Sequence, residues 1–469
     1  MPTRNYIYYD YTISLCHECL ERIDAKIVFE GDQVYMHKRC PEHGFSKVLI
    51  ADDVEYYKNI RNYNKASETP YKFNTKTHFG CPYDCGLCPD HEQHSCLTIV
   101  EITDRCNLTC PTCYASSSPS YGRHRTLDEV KKMLDTIVLN EREPDVVQIS
   151  GGEPTIHPDF FEILDYAKSL PIKHLMLNTN GIEIAKDFEF AKRLSQYAPD
   201  FEIYLQFDSF KNEALMDLRG ANLLSIREKA IEHLNKLNLS TTLVVTLQKG
   251  LNDDEMGEII QYALNQKCVR GVTFQPTQVA GRHDNYKNHT GRITLTEVRR
   301  NILEQFDVFT ADDLIPVPCN PDALVMGYIL KLDGNYIPLT RYINPSDLLD
   351  SGKNTIVYEQ DEVLHQKMFD IFSTATSTDK ASEKMHSLLC CMPYVQAPDL
   401  SYDNLFRVII MQFIDAYNFD VRSIKKSCVH IVNKDYKIIP FETMNLFYRD
   451  DKKEVLDKIL DKTNQIKIK

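Results

Sequence analysis

Three cysteines open the chemistry of this 469-residue chain: Cys106, Cys110 and Cys113, spaced x3 then x2. A four-iron cluster needs one ligand per iron, and cysteine thiolates are its usual protein ligands. Three closely spaced thiols satisfy three irons and leave the fourth open, as a catalytic metal site must to bind a reactant. The bland alternative for a bare triplet is a structural zinc or disulfide cluster.

Other cysteines repeat the theme. Cys16-x2-Cys19 is followed by Cys40-Pro41-Glu42-His43. Two short chelating pairs of this kind make a tetrahedral zinc-ribbon or rubredoxin-like knuckle, with His43 as the fourth ligand. Zinc is the default and a single iron the alternative; so small a module has little core, and metal binding would fold it. Cys81-x3-Cys85-x2-Cys88-x7-Cys96 is a complete set of four. It shares the x3–x2 spacing, but Cys96 offers a ligand that closes it, so we read an auxiliary four-iron cluster for electron transfer or structure. Cys319, Cys390, Cys391 and Cys428 lie far apart. They are expected to assemble a further cluster from distant loops, or else to be buried free cysteines. Cys268 reads as an ordinary core cysteine.

The elements that must position these groups alternate strand and helix. Leu97–Ile102 is a short apolar strand running directly into the Cys106 loop, and Leu127–Leu139 has helical spacing. Further strands are expected at Val146–Ile149, His174–Leu177, Phe201–Phe207, Thr241–Leu247 and Gly271–Phe274, with helices between them. Such alternation implies a parallel sheet, and six units without a glycine fingerprint suggest a partial (β/α)6 TIM-type barrel, an α/β fold. The site of such a barrel lies at the C-terminal ends of its strands. The polar residues fall there: Gly151-Gly152-Glu153, Asn178 and Asn180, Gln206 and Asp208, Thr246 and Gln275. Two glycines let backbone approach a ligand closely, and Glu153 is an acceptor for an ammonium group. We divide the chain into a metal knuckle (1–60), an auxiliary-cluster segment (61–97), the partial barrel (98–278) and a C-terminal region (279–469) with a possible second auxiliary cluster.

The Cys106–Cys113 motif, with aromatic Tyr114 after its third cysteine and Gly151-Gly152-Glu153 ending the second strand, resembles the signature of the radical S-adenosylmethionine (SAM) superfamily. The resemblance implies that the open iron takes the amino and carboxylate groups of SAM, and that an electron from the cluster yields a 5′-deoxyadenosyl radical. It also implies that Gly151, Gly152 and Glu153 contact the methionine amine, and that Asn178, Asn180, Gln206, Asp208 and Gln275 contact the rest of SAM. Arg219 is then a partner for the methionine carboxylate, with a solvated surface arginine as its alternative. Tyr114 packs near the adenine or serves as a core aromatic. An external electron donor such as ferredoxin or flavodoxin is implied.

The whole-chain layout is narrower. The N-terminal knuckle, Phe79-Gly80-Cys81-Pro82-Tyr83-Asp84-Cys85-Gly86-Leu87-Cys88-Pro89, and the late run Cys428-Val429-His430 to Asn445-Leu446-Phe447-Tyr448-Arg449 are similar to the tetraether lipid synthase group, also described as class D-type methylases acting on pterins. That implies hydrogen abstraction from unactivated carbon, followed by C–C bond formation or methylation on a lipid-like substrate. Methylation from a folate-like donor is proposed for relatives. The group's pattern has a second cysteine soon after the one matching Cys319. Here Asp322, Ala323 and Leu324 occupy the available places, leaving three thiols for that cluster. The stretch from Leu405 to Ala416 could line a lipid groove or form a core helix. A pterin- or peptide-modifying radical enzyme, or a non-catalytic iron–sulfur and zinc electron carrier, are the competing readings.

A formal charge of −13 argues against a general nucleic-acid binder, which needs a basic face. The N-terminus lacks a signal-peptide core, and no apolar run approaches the roughly 20 residues that span a bilayer. A cytoplasmic protein is expected, with membrane association, if any, through its substrate.

Overall fold

Sequence alternation builds the N-terminal ribbon. In the computed structural model, which describes residues 4–65, 68–332, 334–341 and 404–467, four strands pair antiparallel in chain order. They are β1 (Ile7–Leu15), β2 (Arg22–Glu30), β3 (Gln33–Cys40) and β4 (Gly44–Ala51). Ile23, Ala25 and Ile27 alternate inward along β2, as period-2 side chains must. The β1–β2 and β3–β4 turns fall at the same end of this sheet and carry Cys16, Cys19, Cys40 and His43 together. Cys390 and Cys391 lie outside the described residues.

The second sheet has twelve strands. The six expected from the sequence are β5 (Leu97–Thr103), β7 (Val146–Gly151), β8 (His174–Thr179), β9 (Phe201–Gln206), β10 (Thr241–Leu247) and β11 (Val269–Pro276). They are parallel neighbours in that order. Strand β6 (Thr112–Cys113), which falls between β5 and β7 in sequence, pairs with β12 (Arg282–His283), which follows β11, in a ladder of its own.

The C-terminal region adds the rest: β13 (Ile315–Pro316), β14 (Leu324–Leu332), β15 (Asn335–Pro338), β16 (Leu405–Met411), β17 (Val429–Val432) and β18 (Ile438–Pro440). Strand β16 runs parallel to β11, and β17 runs parallel to β5, so the parallel sheet gains a strand at each side. The run beginning at Leu405 is therefore not a core helix, and only Met411 and Phe413 of it line the cavity that the sheet encloses. It is a strand with every residue buried, because it lies between β11 and antiparallel β14 with both faces covered.

The sheet curls into an open barrel. Met411 of β16 and Val429 of β17, from opposite sides of the strand order, line one internal cavity. Helices cover the outside. Leu127–Glu141 turns Val130, Met133, Leu134 and Ile137 inward at helical spacing, and a capping box between Thr126 and Glu129 sets its start.

The floor of the barrel is polar. Arg407 of β16 passes over Gly271 of β11, where a Cβ would stand 2.6 Å from its Cγ, and reaches both carboxylate oxygens of Glu202 at 2.6 and 2.7 Å. Thr242, Ser240 and His174 also contact Glu202. No helix among the described residues is long and apolar enough to cross a membrane.

Candidate active site

Strand β5 delivers the chain into the Cys106 loop at the C-terminal end of the barrel. Two glycines of the next strand lock that loop. A Cβ on Gly151 would lie 2.2 Å from the Thr103 carbonyl oxygen, and one on Gly152 would lie 2.1 Å from that of Arg105. The N–H groups of Gly152 and Glu153 donate to those same two carbonyls, each at 2.9 Å. The glycines thus serve the approach of backbone to backbone. Across the loop, Asn180 donates to the Asn107 side chain at 2.7 Å, and Arg282 grips the carbonyls of Cys110, Ser116 and Ser117.

Cys106, Cys110 and Cys113 line the cavity, with Gly151, Gly152, Glu153, Asn178, Asn180, Gln206, Arg219 and Gln275 around it. Burial pushes the Cys106 thiol up to about 12 and raises Cys110, against which Arg219 pulls. One buried and two half-buried thiols facing one cavity suit a metal that replaces their protons. The trio is also absent from the groups whose ligand atoms all lie within 4.8 Å of one another, as expected of thiols reaching separate irons. The donor set therefore fits a cluster with one open iron.

Several polar residues are already occupied. Glu153 Oε1 accepts from the Thr155 N–H (3.1 Å) and from the hydroxyls of Thr155 (2.6 Å) and Thr179 (2.8 Å), while Oε2 accepts the Asn180 N–H at 2.9 Å. Burial still raises its carboxyl, and these bonds oppose the rise. The acceptor expected for an ammonium group mainly ties the ends of β7 and β8 together. Asp208 does not line the cavity. Burial would lift its carboxyl, but Arg219 (2.6 Å) and Arg227 (3.1 Å) outweigh that and lower it. Arg219, expected to meet a ligand carboxylate, spends Nε and Nη2 on Asp208, Gln206 and Thr246, and its guanidinium also acts on the Cys110 thiol. Asn178 bridges Ser150 and Gln206, and Gln275 donates to the Tyr204 hydroxyl at 3.1 Å. Tyr114 packs on Phe441 at 5.0 Å, with the Arg449 guanidinium over its ring.

Sequence reasoning missed Arg227, fully buried behind Asp208, and Gln148, which lines the inner cavity without a side-chain partner among the described residues. The signal was available: Gln148 is the one amide in the run Val146-Val147-Gln148-Ile149.

The accessory cysteines regroup. Cys16, Cys19, Cys40 and His43 converge, with His43 Nδ1 3.6 Å from Cys16 Sγ and 3.5 Å from Cys40 Sγ, and 3.9 Å between the Cys19 and Cys40 sulfurs. That sulfur separation is close to the ~3.8 Å expected around a tetrahedral ion with ~2.3 Å bonds. Cys81, Cys85 and Cys88 lie close enough for their thiols to act on one another. Cys96 does not close this set. Its carbonyl accepts from Val146 N–H at 3.1 Å, and the neighbouring Leu97 N–H donates to the Cys428 carbonyl at 3.0 Å. Strand pairing therefore directs the Cys96 thiol to Cys319 and Cys428. Cys268 is a fully buried core residue.

The Radical SAM superfamily model matches residues 100–263, and the HMPTM N-terminal zinc ribbon domain model matches residues 8–52. The 7,8-dihydro-6-hydroxymethylpterin dimethyltransferase of Methanocaldococcus jannaschii is 34% identical over 488 aligned positions, covering 94% of each chain. The mycofactocin maturase MftC of Mycolicibacterium smegmatis is 27% identical over 38% of this chain and 44% of its own. Among solved structures, Streptococcus suis SuiB bound to S-adenosylmethionine aligns with a TM-score of 0.37 and 15% identity, over 45% of this chain and 47% of that one.

Proposed function

The chain belongs to the radical SAM superfamily, as an enzyme of the methylating group, and from that premise we propose that it methylates a pterin-like heteroaromatic substrate. The observation that carries this reading is the 34% identity to a pterin dimethyltransferase along 94% of both chains, ribbon included. Cys106, Cys110 and Cys113 would hold the SAM-binding cluster. Bound there, it supplies the electron for reductive cleavage of SAM. Cys81, Cys85 and Cys88 would hold an auxiliary cluster, and Cys16, Cys19, Cys40 and His43 a zinc ion. An external electron donor completes the system.

Asn178, Asn180, Gln206 and the Gly151–Gly152 edge surround SAM in this reading, beside the Cys106 loop. The substrate takes the inner chamber, whose walls are Ile99, Tyr204, Met411, Phe413 and Phe441. Phe413 and Phe441 lie 4.1 Å apart and offer a face to a flat ring. Gln148 presents an amide donor and acceptor together, which complements the lactam edge of a pterin. A lipid-like substrate is not favoured, because β16 is buried core and only Met411 and Phe413 of that stretch reach the cavity.

The test is anaerobic reconstitution with iron, sulfide, SAM, a strong reductant, a reduced-folate methylene donor and 7,8-dihydro-6-hydroxymethylpterin. The expected products are 5′-deoxyadenosine and a methylated pterin by mass spectrometry. An unchanged 5′-deoxyadenosine yield in Cys106→Ala would sink the catalytic assignment. Turnover of SAM without methylated pterin would sink the substrate.

A further inference from the structure

The barrel is open, and its strand order has two ends that do not pair with each other: β13, β14 and β16 on one side, β5, β17 and β18 on the other. Three thiols meet across that seam. Cys319 lies in the turn between β13 and β14, Cys428 directly precedes β17, and Cys96 directly precedes β5. Their sulfurs all lie within 4.8 Å of one another, with Cys319 and Cys428 at 3.3 Å. All three residues are at most 2% exposed.

The spacing speaks to nuclearity. Thiolates on one tetrahedral ion, with bonds of about 2.3 Å, stand ~3.8 Å apart. Thiolates on separate corners of a four-iron cluster stand farther apart, roughly 6 Å. Neither Cys106, Cys110 and Cys113 nor Cys81, Cys85 and Cys88 meet the tighter criterion. The ribbon ligands Cys16, Cys19, Cys40 and His43 do, and they form the other such group among the described residues. An outer shell is also present. Gln93 Nε2 donates to Cys96 Sγ at 3.3 Å, and His94 Nε2 stands 3.5 Å from it, the arrangement that orients a metal-bound thiolate.

We propose that Cys96, Cys319 and Cys428 bind a single divalent ion of the zinc or ferrous class, which clasps the open seam of the barrel. His94 Nε2 reaches Cys96 but does not lie within 4.8 Å of all three sulfurs, so it belongs to the outer shell. The clasp bears on the substrate chamber, because Leu97 and Val429, each one residue beyond a ligand, line the cavity. This inference does not depend on the substrate assignment above.

The experiment counts metal and acid-labile sulfide on the full chain, purified anaerobically, by mass spectrometry and colorimetry. Cys319→Ser is expected to lose one ion per chain with sulfide unchanged. Cobalt supplied in place of zinc should give thiolate-to-cobalt charge-transfer bands, weakened in Cys319→Ser and in Cys428→Ser. Loss of about four irons together with four sulfides, or no loss of metal, overturns the proposal. Should both serine variants be insoluble, Cys16→Ser decides: with the ribbon emptied, one ion not accompanied by sulfide must remain per chain, and its absence overturns the proposal equally.

Discussion

The backbone N–H of Cys85 donates to the hydroxyl of Tyr448 at 2.8 Å, although 363 residues separate them. That hydroxyl donates onward to the Tyr83 carbonyl at 2.7 Å. The next residue, Arg449, forms a buried ion pair with Glu101 at 2.8 Å and stands over the ring of Tyr114, which follows Cys113. One C-terminal turn thus braces both x3–x2 cysteine loops.

Tyr448→Phe should leave a buried N–H at Cys85 unsatisfied. The expected cost is about 1–3 kcal/mol, read as a lower denaturation midpoint. Iron content should fall in the Cys81–Cys88 loop while the Cys106 loop keeps its own, as seen by comparing Tyr448→Phe with the double variant Tyr448→Phe/Cys106→Ala.

Gly152→Ala places a methyl group 2.1 Å from the Arg105 carbonyl oxygen and must push the Cys106 loop aside. Misplacement on the order of 1 Å costs roughly a hundredfold in rate. The expected outcome is about that loss in 5′-deoxyadenosine formation, with circular dichroism of the barrel retained.

The floor pair gives a pH signature. Burial would raise the Glu202 carboxyl, but Arg407 first and His174 next hold it well below the usual carboxylate range. A depressed folded pKa adds stability above the unfolded value of about 4.3, and this stability is lost as pH falls through the folded one. Arg407→Met removes the partner, at a cost of about 3–5 kcal/mol near neutral pH. It should also reverse the slope: burial then raises Glu202, so that the variant gains stability as pH falls toward 5. Urea unfolding across pH 4–8 checks both signs.

Gln148→Leu should raise the KM for the pterin by about fivefold to a hundredfold, the roughly 1–3 kcal/mol of a lost buried hydrogen bond. SAM cleavage without substrate should be unchanged, since Gln148 lies below the Cys106 loop on β7. Steady-state kinetics with and without pterin separate the two.

Much of the site was legible in the chain itself. The six parallel strands, the polar residues at their C-terminal ends and the cysteine triplet after the first strand all rest on local signals, namely side-chain period and ligand spacing. The roles of Glu153, Asp208 and Arg219 were less legible. Each carries a charge that any ligand could use, and only packing shows that these charges are largely consumed by Thr155, Thr179, Asn180 and one another.

By itself, then, the sequence determined that the Cys106 triplet sits at the mouth of a barrel and that the Cys16–His43 pairs form a knuckle, because neighbours in a short loop stay neighbours in any fold. The partners of Cys96 were decided only in three dimensions. The seven-residue spacer between it and Cys88 suggested one set, but parallel pairing of β5 with β17 brings Cys428 alongside, and the turn before β14 brings Cys319. Strand pairing fixes the backbone of Cys96 through many cooperative hydrogen bonds, and a flexible spacer cannot outweigh them. For the same reason the apolar run at Leu405 became a strand: the exposed edge of β11 offered it a full ladder.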